Sequence, residues 1–151
     1  MMQKGFCGLM LSLGLLVATL PVSAHHSFAA TFDRNKPVTV NAVVTEVHWE
    51  NPHTLMYVEV KDESGKVVKW TFESYPPSVL YRKGLRPNRL KPGAEVTLTG
   101  FAAKSVPNWA EVSIVAFPDG ESFCVPASGN TTVCDANDRD VNGNLVKQPV
   151  K

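Results

Sequence analysis

The stretch Val38-Thr39-Val40-Asn41-Ala42-Val43-Val44-Thr45-Glu46-Val47-His48-Trp49-Glu50 reads as one long strand with a fault in its rhythm. Apolar side chains recur at Val38, Val40, Ala42 and Val44, and then at Val47 and Trp49. Side chains on a strand alternate with a period of two, so a one-residue change of phase near Val43–Thr45 predicts a bulge or a sharp bend. A long, bent first strand is what a small closed sheet needs if that strand is to serve both of its halves.

Four further extended segments follow. Thr54 to Lys61 sets Met56, Val58 and Val60 inward and Tyr57 and Glu59 outward. Asp62 to Lys66 is a hairpin connection, with Gly65 where positive φ is wanted. Val67 to Glu73 puts Val68, Trp70 and Phe72 on one face, with Trp70 and Phe72 expected to be buried. Pro76-Pro77 breaks the sheet, Ser78 is the expected cap of a short helix from Val79 to Lys83, and Gly84 ends it. Lys91-Pro92-Gly93 turns into a strand from Glu95 to Ala103. The last strand, Ala110 to Phe117, carries Ala110, Val112, Ile114 and Ala116 on one side, and Pro118-Asp119-Gly120 closes it. Three strands, a short helix and two strands predict an all-β fold: a small five-stranded Greek-key barrel of the oligonucleotide/oligosaccharide-binding (OB) type. A flat meander with one helix is the competing architecture.

Outside this segment the two ends differ in character. Residues 1–24 read as a signal peptide. Lys4 supplies the positive start, Leu9 to Leu20 the apolar run, and Val22-Ser23-Ala24 the small-residue cleavage site. The run is shorter than the ~20 apolar residues of a membrane span and is interrupted by Ser12 and Gly14. No stable membrane anchor is therefore expected after cleavage, and the expected location is the periplasm. Cys7 precedes the apolar run, which argues against a lipoprotein signal. Residues 25–120 form the expected barrel domain, and residues 121–151, rich in Ser, Asn, Asp, Gly and Thr, a stapled loop and a flexible tail. The expected staple is Cys124–Cys134, two cysteines close in sequence in an oxidising compartment, with a pair of free or metal-ligating thiols as the alternative.

Cleavage after Ala24 removes Lys4 and leaves 14 Lys+Arg against 14 Asp+Glu. A neutral chain has no electrostatic footprint for nucleic acid, so that partner class is set aside despite the fold.

All four histidines, His25, His26, His48 and His53, lie within the first 53 residues. With His25 at the mature N-terminus, its free amine and its own Nδ1 can chelate one ion. A third nitrogen from another histidine completes a T-shaped brace that suits Cu(II), so copper is the expected cofactor. His48 and His53 are the candidate donors of that third nitrogen. His48-Trp49-Glu50-Asn51-Pro52-His53 runs from the first strand through a turn to the second, and Glu50 is placed to orient an imidazole or to act as a weak ligand. The plain alternatives are a solvated terminus, a turn histidine at His53 and a solvent-facing His48. In the tail, Asp138-Arg139-Asp140-Val141-Asn142-Gly143 opens like a calcium loop, but Pro149 stands where the bidentate Glu belongs, so a polar tail explains it better.

The linked elements His25-His26-Ser27-Phe28, Asp33, Lys36-Pro37-Val38, Asn51-Pro52-His53 and Leu90-Lys91-Pro92-Gly93 resemble a family of small exported bacterial proteins of unknown function. The resemblance covers roughly residues 24–120 and implies a single-domain periplasmic protein with a barrel of this kind. It also implies that His25, His26 and His53 belong to one motif set. It carries no activity to transfer, and the segment with Cys124 and Cys134 falls outside it.

Three functions compete. The first is a periplasmic copper-like carrier or buffer using His25, His26, His48 and His53. The second is a metal-free module binding a small ligand, peptide, glycan or partner protein, with Trp49, Tyr57 and Trp109 as its contact face. The third is an enzyme, for which there is no catalytic candidate: neither Ser27 nor Ser78 lies in a nucleophile elbow, and no histidine follows residue 53.

Overall fold

The computed structural model describes residues 28–125 of the chain. The predicted signal peptide, His25, His26, Cys134 and the calcium-like stretch all lie outside those residues. A one-turn helix α1 (Phe28–Thr31) leads directly into β1 (Phe32–His48). There follow β2 (Thr54–Lys61), β3 (Val67–Ser74), a short helix α2 (Pro77–Arg82), β4 (Glu95–Ala103), β5 (Trp109–Ala116) and β6 (Ser122–Cys124). The sheet runs in the order β3-β2-β1-β4-β5-β6, and an additional β3–β5 pairing closes it into a ring. Every pairing is antiparallel except β3–β5, which is parallel.

The predicted fault in the first strand is present. The register of β1 against β2 shifts between Val44 and Glu46, so Val44 and Val47 both turn to the core although they stand an odd number of positions, three, apart. The strand begins at Phe32, earlier than expected, and this length lets it pair with β2 through one half and with β4 through the other. At the hairpin, Asp62 Oδ1 accepts hydrogen bonds from the backbone N–H groups of Ser64 and Lys66 and from the Ser64 hydroxyl. These bonds hold its carboxyl below the usual range. Gly65 there has φ of 83°.

Met56, Val58, Phe72, Leu80, Leu98, Val112 and Val115 fill the interior. Trp70 is only half-buried and stacks on Phe72, with ring centroids 5.8 Å apart. Three local expectations are corrected. The helix after β3 starts at Pro77 with Pro76 at its cap and no side-chain capping bond, so Ser78 does not cap it. On β5, Ala110 and Val112 face inward but Ile114 and Ala116 do not, because the register shifts opposite Thr99/Gly100 and passes the core position to Val115. Finally, the sheet does not stop at the Pro118-Asp119-Gly120 turn: β6 adds a sixth strand, and Phe123 and Val125 are fully buried in the core.

A second, smaller cluster lies where α1 covers β4 and β5. Phe28, Phe32, Phe101 and Ala103 are buried there, with Trp109 packed against them. The Phe28 ring sits edge-on to Phe101 at 5.9 Å. Lys104 Nζ donates to the Ala29 carbonyl at 2.6 Å, tying α1 to the end of β4.

Candidate functional site

Register places the site. Val47, Met56, Phe72 and Ala110 are partners across β1, β2, β3 and β5, and all belong to the core or pack against it. The next row along the strands is His48, Leu55, Glu73 and Glu111. Pleating turns this row to the outside of the ring. At Glu111 the outside is not water, because α1 and the start of β1 lie over it: Phe28, Phe32, His53, Glu73, Ser74, Tyr75 and Glu111 line one small pocket of about 60 Å³.

His53 Nδ1 lies 2.5 Å from Glu73 Oε1, a separation that needs a proton between them. In the neutral imidazole, a proton on Nδ1 directed at Glu73 leaves the lone pair on Nε2, a tautomer able to ligate a metal. Glu111 is 7% exposed and its Oε2 has no hydrogen-bond partner; the same is true of the Ser74 hydroxyl, which is 3% exposed. Burial, reinforced by the neighbouring Glu73 charge and opposed by Arg34, pushes the Glu111 carboxyl up to about 8. Arg34 itself lies over the Phe28 ring, 5.2 Å from its centroid.

The predicted site residues divide. His53 lines this pocket. His48 does not: its Nε2 is 2.6 Å from Glu46 Oε1, and its ring meets Tyr57 edge-on at 5.1 Å. Leu55 stands between His48 and Glu73 in the row, a separation of about 10 Å at two strand spacings. Glu50 is exposed beyond the end of β1, and the support predicted for it is supplied to His53 by Glu73. Trp49 stacks on Tyr81 at 5.6 Å and packs against the core, while Trp109 packs under α1. With Tyr57 beside His48, the three aromatic candidates therefore do not share one face. Cys124 is fully buried.

Sequence reasoning missed Glu73, Ser74 and Glu111. Glu73 and Glu111 occupy outward positions of their strands, as Lys69 and Thr71 do on β3, which reads as ordinary solvent exposure until α1 is seen to cover one of them. Among the described residues no group of three or more His, Cys, Asp and Glu side chains is arranged to hold a metal ion. None of their helices is long and apolar enough to cross a membrane.

A second cleft of about 530 Å³ lies at the other end of the ring, where β2 finishes and β3 and β4 begin. Val43 and Val67, 42% and 47% exposed, are on its walls with Phe117 and Pro118.

A family model described as a family of unknown function, DUF6152, matches residues 13–111. No curated protein matches the chain, and no solved structure does.

Proposed function

The chain belongs to DUF6152, a family of unknown function, and from that premise we propose an exported, periplasmic metal-binding protein, a carrier or buffer for a copper-like divalent ion. Nitrogen donors from His25, His26 and His53 hold the ion on a barrel of OB type. The observation that carries this reading is that His53, oriented by Glu73, lines the same pocket as Phe28. The covalent chain limits His25 to about 11 Å from Phe28 at its fullest extension. A terminal amine and two imidazoles within covalent reach of a third imidazole would make the donor set Cu(II) prefers. His48, paired with Glu46, is left out of the set. The OB-type description draws support from the closed order β1-β2-β3-β5-β4 and from α2 lying between β3 and β4.

The test is a Cu(II) titration followed by electron paramagnetic resonance on protein exported and processed by its host to begin at His25. One stoichiometric site with nitrogen hyperfine structure is expected, lost in His25→Ala and when one residue is added before His25. No tight site in protein verified to begin at His25 would overturn the reading.

The large cleft favours a second reading, a metal-free module that binds a small ligand, peptide, glycan or partner protein there. Its volume is that of an ordinary ligand pocket. If Val67→Asp abolished capture of a periplasmic partner while Cu(II) binding was absent throughout, this reading would replace the first.

A further inference from the structure

The connection from β3 to β4 differs in charge from the rest of the chain. Between Glu73 and Glu95 there is no acidic residue, whereas Arg82, Lys83, Arg86, Arg89 and Lys91 fall within ten positions. Residues 28–125 hold eleven Lys+Arg and eleven Asp+Glu, so five of the cations sit on this one element and the remainder is net acidic. The overall neutrality conceals a dipole.

Packing fixes the positive end on the outside. Leu80, Leu85 and Leu90 recur every five residues and are fully buried, pinning the connection to the core at three points. Backbone bonds hold the turns between them: the Leu85 N–H donates to the Leu80 carbonyl and the Leu90 N–H to the Arg86 carbonyl. With the apolar positions turned inward, Arg82, Arg86 and Lys91 are left exposed. Arg89 is neutralised by Asp119 and Glu121, at 2.7 and 2.8 Å. Among the described residues no carboxylate pairs with Arg82, Arg86 or Lys91. Arg86 lies over the Tyr81 ring instead, 5.1 Å from its centroid, and Tyr81 stacks on Trp49.

The form of this surface indicates what it meets. Arg82 and Arg86 line neither the small pocket nor the large cleft, so they present charge outward rather than enclosing a small anion. The exposed large apolar side chains, Val43, Val67 and Val106, belong to other elements, so there is no apolar anchor here to grip a peptide. Outward cations without a pocket or an anchor fit an extended anionic plane, which attracts each charge over the range of a Debye length. The acidic remainder of the molecule orients the dipole with this connection toward such a plane. Tyr81 and Trp49, half-buried behind Arg86, are ring types that settle at the level of lipid headgroups.

We propose that the α2–β4 connection is a docking surface for an anionic phospholipid bilayer, with Arg82, Arg86 and Lys91 meeting the headgroup phosphates. The contact is peripheral, held by charge and released by salt. It needs no metal and does not rest on the metal-binding reading above.

The experiment is flotation of the full chain, processed to begin at His25, with vesicles of phosphatidylcholine alone or mixed in equal parts with phosphatidylglycerol. The variant Arg82→Glu/Arg86→Glu/Lys91→Glu is set against Lys61→Glu/Lys66→Glu/Lys69→Glu, which changes net charge equally but at the β2–β3 hairpin. All six side chains are exposed, and a thermal melt verifies each fold. Arg82→Gln/Arg86→Gln/Lys91→Gln is the milder second variant. Wild type is expected to partition at least tenfold more strongly onto the mixed vesicles, and to be released at about 0.5 M salt. The first variant is expected to lose at least tenfold in partition, the glutamine variant less, and the hairpin variant no more than about threefold. Equal losses in the two glutamate variants would make net charge the cause and overturn the inference. So would failure of wild type to bind the mixed vesicles, or binding that survives high salt. Capture of soluble polyglutamate without vesicle binding would overturn it in favour of an acidic polypeptide.

Discussion

Glu73 and Glu111 stand directly opposite each other in the parallel register of β3 and β5, the single pairing that closes the sheet into a ring. Closure of the fold and the meeting of the two carboxyl groups are one event. Glu73 also holds His53 at 2.5 Å, so the junction sets the orientation of that imidazole as well.

The metal-free protein should lose stability as pH rises from about 5 to about 8.5. Glu111 has an ordinary value of 4.5 and is pushed up to about 8 in the fold. Between these values the folded state keeps a proton that the unfolded chain has released, so raising the pH favours unfolding. The loss should level off above the folded value. Urea melts across this range measure it, and Glu111→Gln should flatten the slope; an unchanged slope would show that Glu111 is not its source.

His53→Ala should lower Cu(II) affinity at least tenfold, and Glu73→Gln by about tenfold through loss of the support to Nδ1. His48→Ala should leave affinity within about twofold of wild type, because its ring serves Glu46 and Tyr57 instead. Equal losses from His48→Ala and His53→Ala would put both histidines in one site and contradict the division drawn here.

Gly100→Ala should destabilise by about 2–3 kcal/mol through overpacking. A Cβ at this position would lie 1.7 Å from the Glu111 carbonyl oxygen, a backbone atom that can retreat only if β5 moves. The same shift would disturb the Glu73–Glu111 register. Chemical denaturation reads the stability, and an effect below about 0.5 kcal/mol would mean that β5 yields easily.

Phe28→Ala should cost about 3 kcal/mol, as for other buried phenylalanines, and should also open the site. Phe28 lines the same pocket as Glu111, and desolvation is the largest cause of the raised Glu111 pKa. Its titration, followed by carboxyl-carbon NMR, should fall back toward the ordinary glutamate range. If it stayed near 8, repulsion from Glu73 would be the dominant cause instead.

In protein exported and processed to begin at His25, no free thiol should remain, with Cys124 paired to Cys134 and a contribution of about 2–3 kcal/mol from so short a loop. Cys134→Ser should release a thiol at Cys124 that reacts only after unfolding, since Cys124 is fully buried. Two reactive thiols in the native wild-type protein would sink the pairing.

Strand existence was readable because each core-facing run keeps its own period of two: Met56 and Val58 alternate to the inside as expected, and the change of phase after Val44 marked the bulge in β1. The β5 bulge escaped notice because Ala110, Val112, Ile114 and Ala116 form an unbroken apolar alternation, and only pairing with β4 shows that Val115 takes the inner place. β6 was missed because three residues are too few to display a period, and the polar composition around them outweighed Phe123 and Val125.

Local alternation, turn chemistry and chain position sufficed for the mostly-β character of the chain, the order of its first five strands with the helix among them, and the placement of its four histidines. Only the tertiary structure decided which groups share a site. It parted His48 from His53, set Glu73 rather than Glu50 against His53, and buried Glu111 in the pocket that Phe28 and His53 line. The physical reason is that pairing distant strands in parallel register and covering one outer face with α1 are long-range events. No local pattern along the chain distinguishes a glutamate that will meet water from one that will meet a second carboxylate.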